Sequence, residues 1–279
     1  LGGDRYAVVN DKAPADGFDI FAIDINSSTG EITNVRKVKT LTSGFSYARD
    51  AEGIAYFPKA NTVFISGEAD NKIMEYSMNG KMTGRQITMP PFVILPHNNY
   101  GLESLTYNAA THKFWTTTES TLPVDGLQAS SVNGICNRLR LMSFDDNLAY
   151  QGYVDYVMDA PLSTKQARYY ADGVSALCAL DDGRLLVLER EAFVANGYMG
   201  SWVVNRVYSI STKGSELPQK KLVAMWRTSF NLLHKDFANY EGMCVGPRLA
   251  DGRQVIVLCA DSQNQEGKFL RDWFRTIVL

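Results

Sequence analysis

The sequence predicts an all-β protein, a β-propeller of about five four-stranded blades, with a sixth admitted if its long insertions hide strands. Three observations carry this. A short phrase joining an acid and a glycine leads into an apolar run four times, at Ala51-Glu52-Gly53-Ile54, Tyr100-Gly101-Leu102-Glu103, Ala171-Asp172-Gly173-Val174 and Tyr240-Glu241-Gly242-Met243. Each copy is followed by a turn and a second β-rich run that ends in another acid, Glu68, Glu119, Glu189 or Asp261, at separations of 16, 16, 17 and 20 residues. Turn-forming residues punctuate the short runs between copies. Self-similarity at a period of tens of residues, with several short strands per unit, marks a repeat architecture, and four strands per unit point to a propeller.

The repeat also places its acids. If the phrase opens one strand and the second acid closes the next antiparallel strand, both carboxylates lie at the same end of the sheet. Radial repetition then gathers them around one mouth of the central channel. Crowded carboxylates repel one another unless a cation compensates them, so the ring reads as a site.

With 45% apolar residues, the 279-residue chain can bury a full core, and one domain over residues 1–279 is the simplest organisation. Its 28 basic and 30 acidic residues leave a net charge of -2, with no basic stripe, so nucleic-acid binding has no electrostatic support. No apolar run approaches a membrane span, and no signal peptide is visible at Leu1-Gly2-Gly3-Asp4. Cys136, Cys178, Cys244 and Cys259 lack zinc-site spacing. Three of them fall in predicted strands as small apolar residues, and a single disulfide stays open.

In chain order, blade 1 reads as strands over residues 6–11, 18–25 and 32–38. It lacks an opening acid-Gly strand. Asp11 matches the acid that ends the second strand elsewhere, so the innermost strand of this blade is expected to come from upstream of Leu1 or from another segment at ring closure. Blade 2, about residues 45 to 90, sets the template with runs at 54–57, 62–65, 73–76 and 86–89. Blade 3, about 97 to 159, carries a Ser/Gly/Asn-rich insertion at 122–137, expected as a rim loop beside Glu119. Blade 4, about 167 to 227, has an insertion at 192–202, and blade 5, about 236 to 279, ends one strand short.

Glu52, Glu103, Asp172 and Glu241 offer hard oxygen ligands suited to Ca²⁺ or Mg²⁺, and Glu68, Glu119, Glu189 and Asp261 share their end of the blades. The plainer alternative is that these acids cap turns or pair with Arg49, Arg138 and Arg190. Arg49 and Arg190 are candidates to orient an anionic substrate, and His97 and His234, ahead of inner strands, are candidate bases. Tyr47, Tyr100, Tyr170 and Tyr240 precede the four phrases, as ring-binding or packing residues. Gly44-Phe45-Ser46-Tyr47-Ala48 only half resembles a nucleophile elbow.

The blade openings Glu52-Gly53-Ile54-Ala55, Gly101-Leu102-Glu103-Ser104-Leu105, Asp172-Gly173-Val174 and Glu241-Gly242-Met243, together with Thr116-Thr117-Thr118-Glu119-Ser120 and Leu186-Val187-Leu188-Glu189-Arg190, resemble the family described as having esterase-like activity of phytase. That resemblance spans essentially the whole chain. It implies a bacterial, periplasmic or secreted propeller that hydrolyses a small phosphoester or carboxyester with a channel metal, with Glu52, Glu103 and Glu241 carried over as its ligands. The chain departs from the pattern at Asp172 and in blade 1. The alternative reading is a non-catalytic propeller that binds a ligand or protein partner at the same mouth, any metal being structural. A monomer is expected in either case.

Overall fold

The computed structural model describes residues 1–9, 15–44, 49–94, 101–214, 217–231, 236–262 and 270–279. Five antiparallel sheets follow one another along the chain. Blade 1 is β1 (Arg5–Val9), β2 (Gly17–Ile25) and β3 (Ile32–Thr42). Blade 2 is β4 (Ala51–Phe57), β5 (Thr62–Gly67), β6 (Lys72–Ser77) and β7 (Met82–Ile87), followed by the one-turn helix α1 (Pro91–Ile94). Blade 3 is β8 (Leu102–Asn108), β9 (Lys113–Thr118), β10 (Arg138–Asp145) and β11 (Tyr150–Val157). Blade 4 is β12 (Tyr169–Ala179), β13 (Arg184–Val194), β14 (Trp202–Ser211) and β15 (Lys221–Ser229), and blade 5 is β16 (Asn239–Arg248), β17 (Gln254–Asp261) and β18 (Phe274–Val278). The protein is thus a five-bladed propeller, with three strands in its first and last blades among the described residues.

Each blade is held by the apolar faces of its strands. The middle strands bury both faces, as in β5, whereas outer strands such as β3 and β7 are exposed along most of their length. This is the pattern expected when sheets stack face to face around an axis and leave their last strand in water. Five apolar clusters fill the five interfaces. Phe18, Leu41, Val63 and Ile65 join blades 1 and 2, and Phe57, Phe64, Leu105 and Phe114 join blades 2 and 3. Leu141, Tyr156, Leu177 and Val187 join blades 3 and 4, and Leu186, Leu188, Ile256 and Leu258 join blades 4 and 5. Tyr6, Ile23, Val255 and Val257 pack blade 5 on blade 1 and close the ring. Burial of each such side chain stabilises the fold by about 1.5–3 kcal/mol.

Closure also has a hydrogen-bonded component at the end opposite the mouth. Thr276 donates its hydroxyl to the Gly30 carbonyl at 2.7 Å, and the Ala250 N–H donates to the Ser27 carbonyl at 2.8 Å. Gly30 has φ +80°, and a Cβ there would lie 2.8 Å from Val278, so glycine satisfies both the turn and the contact.

The strand assignments differ from the sequence expectation mainly at their ends. The fourth strand of blade 2 lies at Met82–Ile87 rather than 86–89, because Gly80 turns the chain immediately after β6. The 192–202 insertion is shorter than expected, since β13 extends to Val194. Asp11 lies outside the described residues, as do Phe45 to Ala48 of the half-elbow. All four cysteines are unbridged. Among the described residues no helix is long and apolar enough to cross a membrane.

Candidate metal centre at the channel mouth

The inner strands place their acids by a shared irregularity. In blade 3, Leu102 pairs with Thr118 and Ser104 with Thr117, which leaves Glu103 on a bulge. In blade 5, Tyr240 pairs with Ala260 and Gly242 with Cys259, leaving Glu241. Blade 2 breaks register between Ala51 and Ile54, at Glu52-Gly53. A bulge turns its extra residue out of the regular alternation, and here Glu52, Glu103 and Glu241 all face one cavity of about 830 Å³. The glycines of the phrase permit close approach: a Cβ on Gly53 would lie 2.5 Å from the Leu105 nitrogen, and one on Gly173 would lie 2.5 Å from the Glu119 carbonyl oxygen.

Blade 4 obeys the same geometry with different residues. Val174 pairs with Glu189 and Ala176 with Leu188, so its bulged residue is Ser175, not Asp172. The position after the paired second-strand residue, held by Glu68, Glu119 and Asp261 in the other blades, is here Arg190, not Glu189. Asp172 and Glu189 therefore leave the expected ring and face blade 3. Glu189 is fully buried and accepts hydrogen bonds from Tyr156 Oη at 2.7 Å and Lys220 Nζ at 2.6 Å. Asp172 stands beside Glu191, and burial, then the carboxylates of Glu191 and Glu189, push its pKa up to about 8.

Arg190 bridges two of the mouth acids. Its guanidinium donates to Glu119, to Glu241 Oε1 at 2.6 Å and to Asn239 Oδ1 at 3.1 Å, joining the acids of blades 3 and 5. Arg49, expected at the same mouth, is locked elsewhere. It is buried and donates to Asp70 at 2.8 and 3.1 Å, to the Lys72 carbonyl at 2.7 Å and to Tyr76 Oη at 3.1 Å, so its hydrogen-bonding capacity is spent inside blade 2. His97, His234, Tyr47 and Tyr100 lie outside the described residues. Tyr170 donates to Glu191 at 2.9 Å and Tyr240 packs edge-on against Trp226, so both serve the blades.

The remaining acids cluster beside this network. Carboxylate oxygens of Asp50, Glu52 and Glu68 all lie within 4.8 Å of one another, half-buried. Glu103 is buried beside them. Burial, then the charges of Glu52, Glu241 and Glu68, raise its pKa well above the usual carboxylate range, with Arg190 opposing. On the same blade, Ser104 Oγ and Thr117 Oγ1, a cross-strand pair, are buried without a protein hydrogen-bond partner. This donor set is all hard oxygen and fits Ca²⁺ or Mg²⁺. Asp50 was not among the sequence candidates. Its φ of 54° turns the chain just before β4, and the only signal was an acid two residues ahead of Glu52.

No curated protein is matched by the sequence. Among solved structures, the chain is similar to an endo-arabinase from Bacteroides thetaiotaomicron, with 10% identity over 99% of this chain and 93% of that one and a TM-score of 0.49. It is similar also to an α-L-arabinofuranosidase from Clostridium thermocellum, with 13% identity over 98% and 88% and a TM-score of 0.41. The family model described as phytase-like, esterase-like activity of phytase, matches residues 2–263. The chain therefore belongs to the phytase-like family.

Proposed function

We propose that the protein is a metal-assisted hydrolase of a small phosphoester or carboxyester, working at the channel mouth in the periplasm or outside the cell. The observation that carries this reading is the cluster of Asp50, Glu52 and Glu68 carboxylates beside the buried Glu103, with Glu52 and Glu103 lining the cavity. These four would hold Ca²⁺ or Mg²⁺. A bound cation supplies Lewis-acid polarisation of the ester or phosphoryl oxygen and a more acidic water. Glu103, whose surroundings favour its protonated form, would release that proton on joining the cation. Arg190 fixes Glu119 and Glu241 and offsets the negative charge that an anionic substrate would meet. The location outside the cytoplasm rests on the family resemblance.

A second reading has its own support. The two terminal nitrogens of Arg190 are already engaged by Glu119, Glu241 and Asn239, as in a structural network, which suits a propeller that binds a ligand without turning it over. The two readings separate on one set of samples. Chelator-treated protein is assayed with a generic phosphomonoester and a generic carboxyester, with and without Ca²⁺ or Mg²⁺. The hydrolase reading expects metal-dependent turnover that is lost in Glu52→Gln. Cation binding with no turnover of either ester favours the binding propeller.

A further inference from the structure

The turns at the two ends of the ring differ in kind. Second strands end at the mouth and inner strands begin there, so the segments after β9 and β13 and the one before β12 all stand on the mouth rim of blades 3 and 4, and every residue in them is described. Val124, Leu127 and Val132 belong to the first segment, Met199 to the second and Leu162 to the third, with Tyr169 opening β12. Each is more than half exposed, Leu127 at 74% and Met199 at 66%. The described turns at the opposite end expose Leu217 alone among large apolar residues. Single exposed apolar side chains are ordinary, whereas six on adjoining loops at one end mark a surface that meets something.

The polar groups of these loops are spent inward, which braces them. Buried Asn137 accepts at Oδ1 from Ser120 Oγ and Thr121 Oγ1 at 3.0 Å and from the Ala129 N–H at 2.9 Å, and its Nδ2 donates to the Asp172 carbonyl at 2.6 Å. Buried Glu191 accepts the amides of Leu162 and Ser163 at 2.9 Å. Ser131 Oγ accepts the Ala167 N–H at 3.2 Å, tying the first segment to the third. The Arg168 guanidinium lies 5.2 Å from the Tyr169 ring centroid and 5.5 Å from that of Tyr198, which brings the third segment to the second. Charge on this frame indicates its partner. Its carboxylates are engaged, Glu119 with Arg190, Asp125 with Arg140 and Asp159 with Lys220 at 2.5 Å. Arg138, Lys165 and Arg168 are exposed on the same rim, and the salt bridges among the described residues include neither Arg138 nor Lys165. Protruding apolar side chains flanked by cations, with the local acids compensated, complement an anionic bilayer: the apolar groups enter the headgroup boundary, Lys and Arg reach lipid phosphates, and an exposed Tyr suits the interface.

We propose that the mouth rim of blades 3 and 4 docks the propeller on an anionic lipid surface, with Leu127 and Met199 entering the headgroup boundary and Arg138, Lys165 and Arg168 meeting lipid phosphates. Docked in this way, the channel mouth faces the bilayer. Apolar insertion and phosphate pairing both contribute, and only the second is screened by salt. The proposal is independent of catalysis and of any cation at the mouth.

The test is co-sedimentation of the protein with unilamellar vesicles in the presence of chelator, so that no divalent cation bridges protein to lipid. Binding is expected to vesicles of equal parts phosphatidylglycerol and phosphatidylcholine, weaker binding to pure phosphatidylcholine, and a decline with added salt. The double variant Leu127→Ser/Met199→Ser is expected to weaken binding to the mixed vesicles by about tenfold or more. Lys165→Glu is expected to weaken it by about fivefold or more, with no change on phosphatidylcholine alone. All three positions are exposed, and an unchanged urea midpoint in each variant shows that the fold is intact. Absence of binding to the mixed vesicles overturns the proposal. So does binding that is equal on both vesicles or unaltered in the double variant, and so does self-association of the protein, lost in the double variant, without vesicle binding, which makes a second copy the occupant.

Discussion

Asp172 and Arg190 show how single residues acquire opposite roles from one register. Asp172 is buried with a pKa of about 8 against an ordinary value of 3.8. A carboxyl whose pKa rises on folding favours the native state below its unfolded pKa, and that contribution is lost as pH climbs through the folded value. Asp172→Asn is therefore expected to flatten the fall in stability between about pH 4 and pH 8, read as urea midpoints across that range. A variant as pH-sensitive as the parent would remove Asp172 as the source. Arg190→Met leaves the buried Glu119 and the half-buried Glu241 without their shared cation. Its expected cost is about 3–5 kcal/mol, measured by chemical denaturation, with partial recovery when Glu119→Gln is added.

At the scale of strands and turns, the repeat was legible because each acid-Gly phrase recurs with the same neighbours, and the second-strand acids follow at near-constant spacing. Which residue faces the channel was legible for Glu52, Glu103 and Glu241 but not in blade 4. A bulge adds one residue to one strand, so the ring position depends on pairing rather than on local sequence, and in blade 4 it falls on Ser175, three residues past Asp172. The same shift exchanged Glu189 for Arg190. Arg49 was misplaced because its partners Asp70 and Tyr76 arrive only with the next two strands. Turn chemistry carries its own test. Gly30→Ala combines a positive φ with a clash against Val278, and a loss of about 1–3 kcal/mol is expected from thermal or urea unfolding. An unchanged stability would mean that the junction of blades 1 and 5 adds little to closure.

For the molecule as a whole, the five filled interfaces explain why so distributed a sequence folds as one ring, and why its chemistry collects where five sheets meet. The expectation of an incomplete first blade came from a missing phrase, and among the described residues its sheet has three strands. Cation binding is the property on which the functional account turns. The most direct measurement is calorimetric titration of chelator-treated protein with Ca²⁺ and with Mg²⁺, run at pH 6 and pH 8 on the parent and on Glu103→Gln. The account predicts stoichiometric binding that strengthens with pH, because a carboxyl held protonated must release its proton to become a ligand, and that is lost in the variant. Absence of binding to the parent, or equal affinity in Glu103→Gln, would contradict it and leave the mouth acids as an ion-pair network around Arg190.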